Sequence, residues 1–98
     1  MTKIDEIRSE LAEKIKNIDP LGKKLKFKLD DDIILIDGTS AENKISDADE
    51  DADCTIIMSK DTYGKLQRHE IKPMMATLTG KIKVKGDIGL AQKLKQLT

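Results

Sequence analysis

Ninety-eight residues set the scale of one domain with a modest core, expected to span 1–98. Eighteen basic residues against eighteen acidic ones leave no formal net charge, which excludes the overall basic signature of a nucleic-acid binder, and an aromatic content of 2% (Phe27 and Tyr63) leaves no platform for stacking bases. The one cysteine cannot form an internal disulfide, and with one histidine it cannot build a structural zinc cluster.

Ile4, Ile7, Leu11, Ile15 and Ile18 recur at steps of three and four, so the first element is a helix with one aliphatic stripe, capped by Thr2 and ended by Asp19-Pro20 and Gly22. Lys24-Leu25-Lys26-Phe27-Lys28-Leu29 then alternates strictly, as a strand with one buried face must. Asp30, Asp31 and Asp32 turn the chain into Ile33-Ile34-Leu35-Ile36, apolar on both faces and hence a strand covered on both sides. Asp37-Gly38 is a hairpin signal leading to a weaker strand over 41–46. Residues 47–53 cross over to a fourth strand, Cys54-Thr55-Ile56-Ile57-Met58. Ser59 and Asp61 open a short helix carrying Tyr63 and Leu66, and Lys72-Pro73 starts another helical turn with Met74, Met75 and Leu78, ended by Gly80. Lys81-Ile82-Lys83-Val84-Lys85 alternates as a fifth strand, and Gly86-Asp87 caps a last helix expected to turn Ile88, Leu90, Ala91, Leu94 and Leu97 inward. The order predicts an α+β fold, a mostly antiparallel sheet covered by helices on one face.

The zero net charge hides a segregation. Residues 30–54 hold ten acids and one base, and the flanking stretches are lysine-rich. The acidic run 47–53 does not fit a calcium loop: from Asp47, the sixth and twelfth positions are Ala52 and Met58 instead of Gly and Glu. It reads as a solvated crossover. Cys54 alternates with Ile56 and Met58 as a core thiol, and its spacing from His69 suggests no nucleophile–base pair. Lys24, Lys26, Lys28, Lys81, Lys83 and Lys85 form the conspicuous charge pattern. They are either a solvated outer face that discourages edge pairing or a weak docking surface for anionic lipid. Met58, Met74 and Met75 with Leu66 and Leu78 make an adaptable elbow, suited to core packing or to a flexible ligand.

Asp53-Cys54-Thr55-Ile56-Ile57-Met58-Ser59, Lys72-Pro73 and the run from Gly80 through Gly86-Asp87-Ile88-Gly89-Leu90-Ala91 to Leu94 together resemble the sterol carrier protein 2 (SCP-2) lipid-transfer domain. The first helix, the Lys24–Leu29 strand and the Ile36-Asp37-Gly38 corner fit as well. The resemblance implies a five-stranded mixed sheet with helices over one face and an apolar tunnel for fatty acid, fatty acyl-CoA, sterol or phospholipid, with no catalytic residue, cofactor or metal. Carried onto this chain, the tunnel wall would draw on Ile34, Ile36, Ile56, Met58, Leu66, Met74, Met75, Leu78, Ile82 and Leu90. Two departures stand out. Thr77-Leu78 occupies the place of an aromatic pair common in the family, and His69 that of a helix-closing glycine.

The expected function is therefore non-enzymatic binding and transfer of an aliphatic lipid, with transient membrane contact through the six lysines. The alternative is an accessory protein that presents lipid or quinone intermediates to a partner enzyme. The longest aliphatic run, 33–36, is far short of the ~18 residues of a membrane span. Neither end carries a signal-peptide core, a prenylation box or a peroxisomal tripeptide, so a soluble cytoplasmic chain is expected.

Overall fold

Helical and strand periodicities exchange along the chain, and the architecture follows them. A computed structural model describes residues 4–93. Helix α1 (Ile4–Ile15) leads to strands β1 (Lys24–Leu29), β2 (Asp32–Asp37) and β3 (Lys44–Ser46), then β4 (Cys54–Met58). Helices α2 (Lys60–Gln67) and α3 (Pro73–Leu78), strand β5 (Lys83–Gly86) and the short helix α4 (Ile88–Ala91) follow. The five strands form one mixed sheet in the order β3-β2-β1-β4-β5, antiparallel except where β4 runs parallel to β1.

The strict alternation of β1 decides the layers. Leu25, Phe27 and Leu29 are fully buried toward the helices, and Phe27 sits in register between Ile34 of β2 and Ile56 of β4. Ile7, Leu11 and Ile15 of α1 join them in a single aliphatic core, with Tyr63 and Leu66 of α2 and Ala76 of α3. Ile18 lies beyond the end of α1 but still packs on that core, whereas the expected cap Thr2 is outside the described residues.

On the opposite face Lys24, Lys26 and Lys28 alternate with the inward residues, and Leu35 sits in register beside Lys26. The crossover 47–53 supplies carboxylates to this face: Lys26 reaches Asp49 at 2.9 Å and Lys24 reaches Glu50 at 3.6 Å. The acidic segment thus neutralises the lysine strand, and Leu35 is only 2% exposed although it points away from the helices. The Asp53 carboxylate then accepts from the Lys24 amide at 2.9 Å, and the Asp53 amide donates to the Lys24 carbonyl at 3.0 Å, which pins the start of β4 beside β1.

The corner after β2 differs from the sequence expectation. Residues 38–43 separate the two strands, so Asp37-Gly38 is not a two-residue hairpin turn, and β3 is shorter than 41–46. Gly38 serves close approach instead. Its amide donates to the Lys23 carbonyl at 3.0 Å, and a Cβ there would lie 2.6 Å from both the Asn43 Oδ1 and the Leu21 nitrogen. Asn43 ties the corner together by accepting from the Leu21 amide and donating to the Asp19 carbonyl.

Ser59 caps α2 by accepting from the Thr62 amide at 3.0 Å. The helix closes with two reversed bonds, Glu70 N–H to the Lys65 carbonyl and His69 N–H to the Leu66 carbonyl, the pattern that places a left-handed residue after the cap. That residue is His69, at φ 59°, where the sequence departs from glycine.

Candidate functional site

The second half of the chain builds a hollow at one edge of the sheet. Pro73 starts α3 with its φ preset for a helix. The helix is only six residues long and buries only Ala76 fully. Gly86, at φ +94°, passes so close to β4 that a Cβ would lie 2.3 Å from the Asp53 carbonyl oxygen. Asp87 then caps α4, accepting from the Leu90 amide at 3.1 Å, and its carboxylate pairs with Lys23. That pair and the cap hold the Asp87 carboxyl below the ordinary aspartate value, and the same pair raises Lys23. In this way the start of α4 is fixed against β4 and β5.

Between α3, α4 and the β4–β5 edge lies a cavity of about 610 Å³, within the 300–1,000 Å³ usual for small-molecule sites. Its wall is Pro73, Met74, Thr77 and Leu78 from α3, Ile56 from β4, Ile82 just before β5 and Val84 within it, and Ile88, Ala91 and Gln92 from α4 and its end. Strand β5 starts at Lys83 and not at Lys81 as the alternation predicts. Among the described residues no charged side chain lines it. The two polar residues are Thr77, whose hydroxyl donates to the Pro73 carbonyl at 2.9 Å, and Gln92. Such a wall can hold hydrocarbon by desolvation.

Of the ten residues expected to bind lipid, Ile56, Met74, Leu78 and Ile82 meet at this cavity. Ile34, Ile36, Leu66 and Leu90 are buried in the core, away from its wall. Met58, also buried, borders a separate hollow of about 280 Å³ with Asp30, Ser59 and Lys81, and Met75 is 51% exposed outside the cavity lining. Pro73, Thr77, Val84, Ile88, Ala91 and Gln92 line the wall without having been named for it. Periodicity could have found two of them, since Val84 is two positions from Ile82 in the alternation 81–85, and Thr77 is four from Pro73 on a helix. Ile88 was expected to face inward and is 68% exposed, because α4 is four residues long and turns only Leu90 into the core. Leu94 and Leu97 lie outside the described residues.

Cys54 is fully buried at the start of β4, where burial and the Asp87 charge push its thiol above the ordinary value, away from a reactive thiolate. His69 is exposed beyond α2, and among the described residues no hydrogen bond joins the two. No helix among the described residues is long and apolar enough to cross a membrane.

Comparisons with known proteins agree with this geometry. Sterol carrier protein 2 of Rattus norvegicus is 40% identical over 53 residues, which cover 54% of this chain and 10% of that protein; the chain thus matches about a tenth of its curated relative's length. The solution structure of sterol carrier protein 2 from Aedes aegypti in complex with palmitate superposes with a TM-score of 0.74 at 19% identity, covering 96% of this chain and 93% of that one. A ubiquinone synthesis protein, UbiJ-SCP2, does so with a TM-score of 0.63 at 20% identity, over 97% and 78%. At these identities the superpositions establish the shared fold. The model of the SCP-2 sterol transfer family matches residues 3–98, so the chain belongs to that family.

Proposed function

We propose that this chain binds one aliphatic lipid in the cavity between α3, α4 and the β4–β5 edge, as a single non-enzymatic, cytoplasmic carrier domain over 1–98. The observation that carries the reading is an open apolar cavity of about 610 Å³ whose wall, among the described residues, carries no charge. Family membership and the palmitate held by a protein of the same fold support it. Burial contributes about 0.8 kcal/mol per methylene, so eight to ten buried methylenes supply roughly 6–8 kcal/mol before the cost of ordering the chain. That corresponds to micromolar or weaker binding, fitting for a ligand that must be released.

A second reading, an accessory role in presenting a quinone intermediate to an enzyme, is favoured by the likeness to the ubiquinone synthesis protein. Native mass spectrometry of gently purified protein, with displacement of a fluorescent fatty acid by palmitate or by an isoprenoid quinone, tests both. One retained lipid per chain and saturable displacement by palmitate are expected. Displacement by the quinone alone, with a stable enzyme partner in a pull-down, favours the accessory role; absence of any saturable displacement sinks both.

A further inference from the structure

The register gathers lysines on the outer face of the sheet. Lys26 and Lys28 of β1 lie beside Thr55 and Ile57 of β4, and these lie beside Lys85 and Lys83 of β5. The two halves of that face differ in charge. Toward β3, Asp37 sits in register between Lys24 and Lys44, and the crossover brings Glu50 to Lys24 at 3.6 Å and Asp49 to Lys26 at 2.9 Å. Toward β5, Lys28, Lys83 and Lys85 are exposed, and among the described residues none of the three enters an ion pair. Asp30 borders the smaller hollow beside Lys83, but its carboxylate accepts from the Lys60 amide at 3.2 Å. Lysines on an edge strand discourage pairing with another chain, which accounts for Lys83 and Lys85. It does not account for Lys28, because β1 is the middle strand of the five. The chain itself shows what this surface accepts. Its crossover carries an acid at every second position, Asp47, Asp49, Asp51 and Asp53, and sets Asp49 on the lysine row. The Lys26 hydrogen bond and charge, with Lys28 behind them, hold the Asp49 carboxyl below its ordinary value, so the row favours a carboxylate.

We propose that the β4–β5 half of the outer face docks an acidic segment of a partner protein, whose carboxylates meet Lys28, Lys83 and Lys85. Residues two apart on a strand are separated by about 7 Å, so Lys83 and Lys85 match an extended segment with an acid at every second position. Ile33 and Ile57, half-buried on either side of Lys28, give the partner apolar ground between the charges. A bilayer is the poorer occupant. The large hydrophobic side chains left exposed among the described residues belong to α3 and α4, and none of them lies on this face to enter acyl chains. The face is also turned away from the cavity, since Ile56 and Val84 of the cavity wall alternate with Thr55, Ile57, Lys83 and Lys85. A docked partner therefore leaves the space between α3 and α4 open, and the docking does not depend on what the cavity holds.

The probe is an end-blocked heptapeptide of alternating aspartate and alanine, titrated into the ¹⁵N-labelled chain. Saturable amide shifts are expected at Lys28, Thr55, Ile57, Lys83 and Lys85, with Thr77 and Ile88 unmoved. In Lys28→Gln/Lys83→Gln/Lys85→Gln the dissociation constant is expected to rise roughly tenfold, against about twofold or less in the charge-matched Lys16→Gln/Lys65→Gln/Lys72→Gln. A peptide with the same aspartates in one block is expected to bind more weakly, and its asparagine counterpart not at all. Prior saturation with palmitate is expected to leave the constant unchanged. Equal loss in the two triple variants, equal binding of the block or asparagine peptide, or displacement of the peptide by palmitate overturns the proposal. So do shifts at the same residues that grow with protein concentration alone, which assign the face to a second copy of the chain. Flotation on phosphatidylserine vesicles that the outer-face variant loses, with no peptide binding, overturns it in favour of a bilayer. A chain that takes the peptide but no palmitate supports the docking face and removes the lipid-binding reading alone.

Discussion

His69 holds a left-handed backbone, φ 59°, that costs an L-residue with a Cβ about 1–2 kcal/mol. His69→Gly removes that strain while giving the unfolded chain more freedom, so a net gain of about 0.5–1 kcal/mol is expected, read as a higher urea midpoint with an unchanged slope. Gly86→Ala is the opposite case. It combines φ +94° with a Cβ 2.3 Å from the Asp53 carbonyl oxygen, and about 2–4 kcal/mol of destabilisation is expected in the same measurement. The first site was legible only through the family resemblance, which sets His69 at the place of a helix-closing glycine. The role of Gly38 was not, since Asp-Gly signals a turn, whereas here the glycine gives way to Asn43 of the same corner and to Leu21, which only the fold brings near.

Among the elements, α4 depends most on one side chain. Asp87 caps it, accepts from Lys23 and lies next to Gly86, and its carboxyl is held below the ordinary value. A carboxylate with a lowered folded value stabilises fully at neutral pH. Its contribution fades as the pH falls below the unfolded value of about 3.9 and is gone below the folded one. Acid is therefore expected to release α4 before the β1–β2 core, seen as faster amide exchange at Leu90 and Ala91 than at Phe27 on stepping from pH 6 to pH 3. In Asp87→Asn, which keeps a cap but loses the pair, that pH step is expected to vanish; an unchanged step would contradict this account of the helix. The strands were readable from alternation, and β1 is bounded as its sequence pattern predicts. The hollow was not, because alternation marks a side chain as inward without saying what lies above it. Ile34 and Ile36 follow the same rule as Ile56 and Ile82, yet only the latter pair meets the gap left by α3 and α4.

Across the whole molecule, charge and aromatic poverty acquire places. Acids of the crossover pair with Lys24 and Lys26 on the outer sheet face, the face on which the register also places Lys28, Lys83 and Lys85. Both aromatic rings, Phe27 and Tyr63, are buried in the core and neither lines the cavity. Burial and the Glu10 carboxylate raise the Tyr63 phenol above its ordinary range, so it remains neutral. Thr77 and Leu78, where the resemblance expects an aromatic pair, form part of the cavity wall, and neither fills it with a ring. Thr77→Phe is expected to fill part of the cavity and weaken binding of a sixteen-carbon fatty acid by about tenfold more than that of a ten-carbon one, measured by competition. Equal effects on both lengths would remove Thr77 from the account of ligand size.

The central claim is that a lipid chain occupies the hollow between α3, α4 and the β4–β5 edge. Its most direct test is palmitate titrated into the ¹⁵N-labelled protein with amide shifts followed residue by residue. Saturable shifts are expected at Met74, Thr77, Leu78, Ile82, Val84, Ile88 and Ala91, with Ile45 and Ser46 of β3 unmoved. No saturable shift, or shifts centred on the outer lysines Lys24, Lys26 and Lys28, would contradict it.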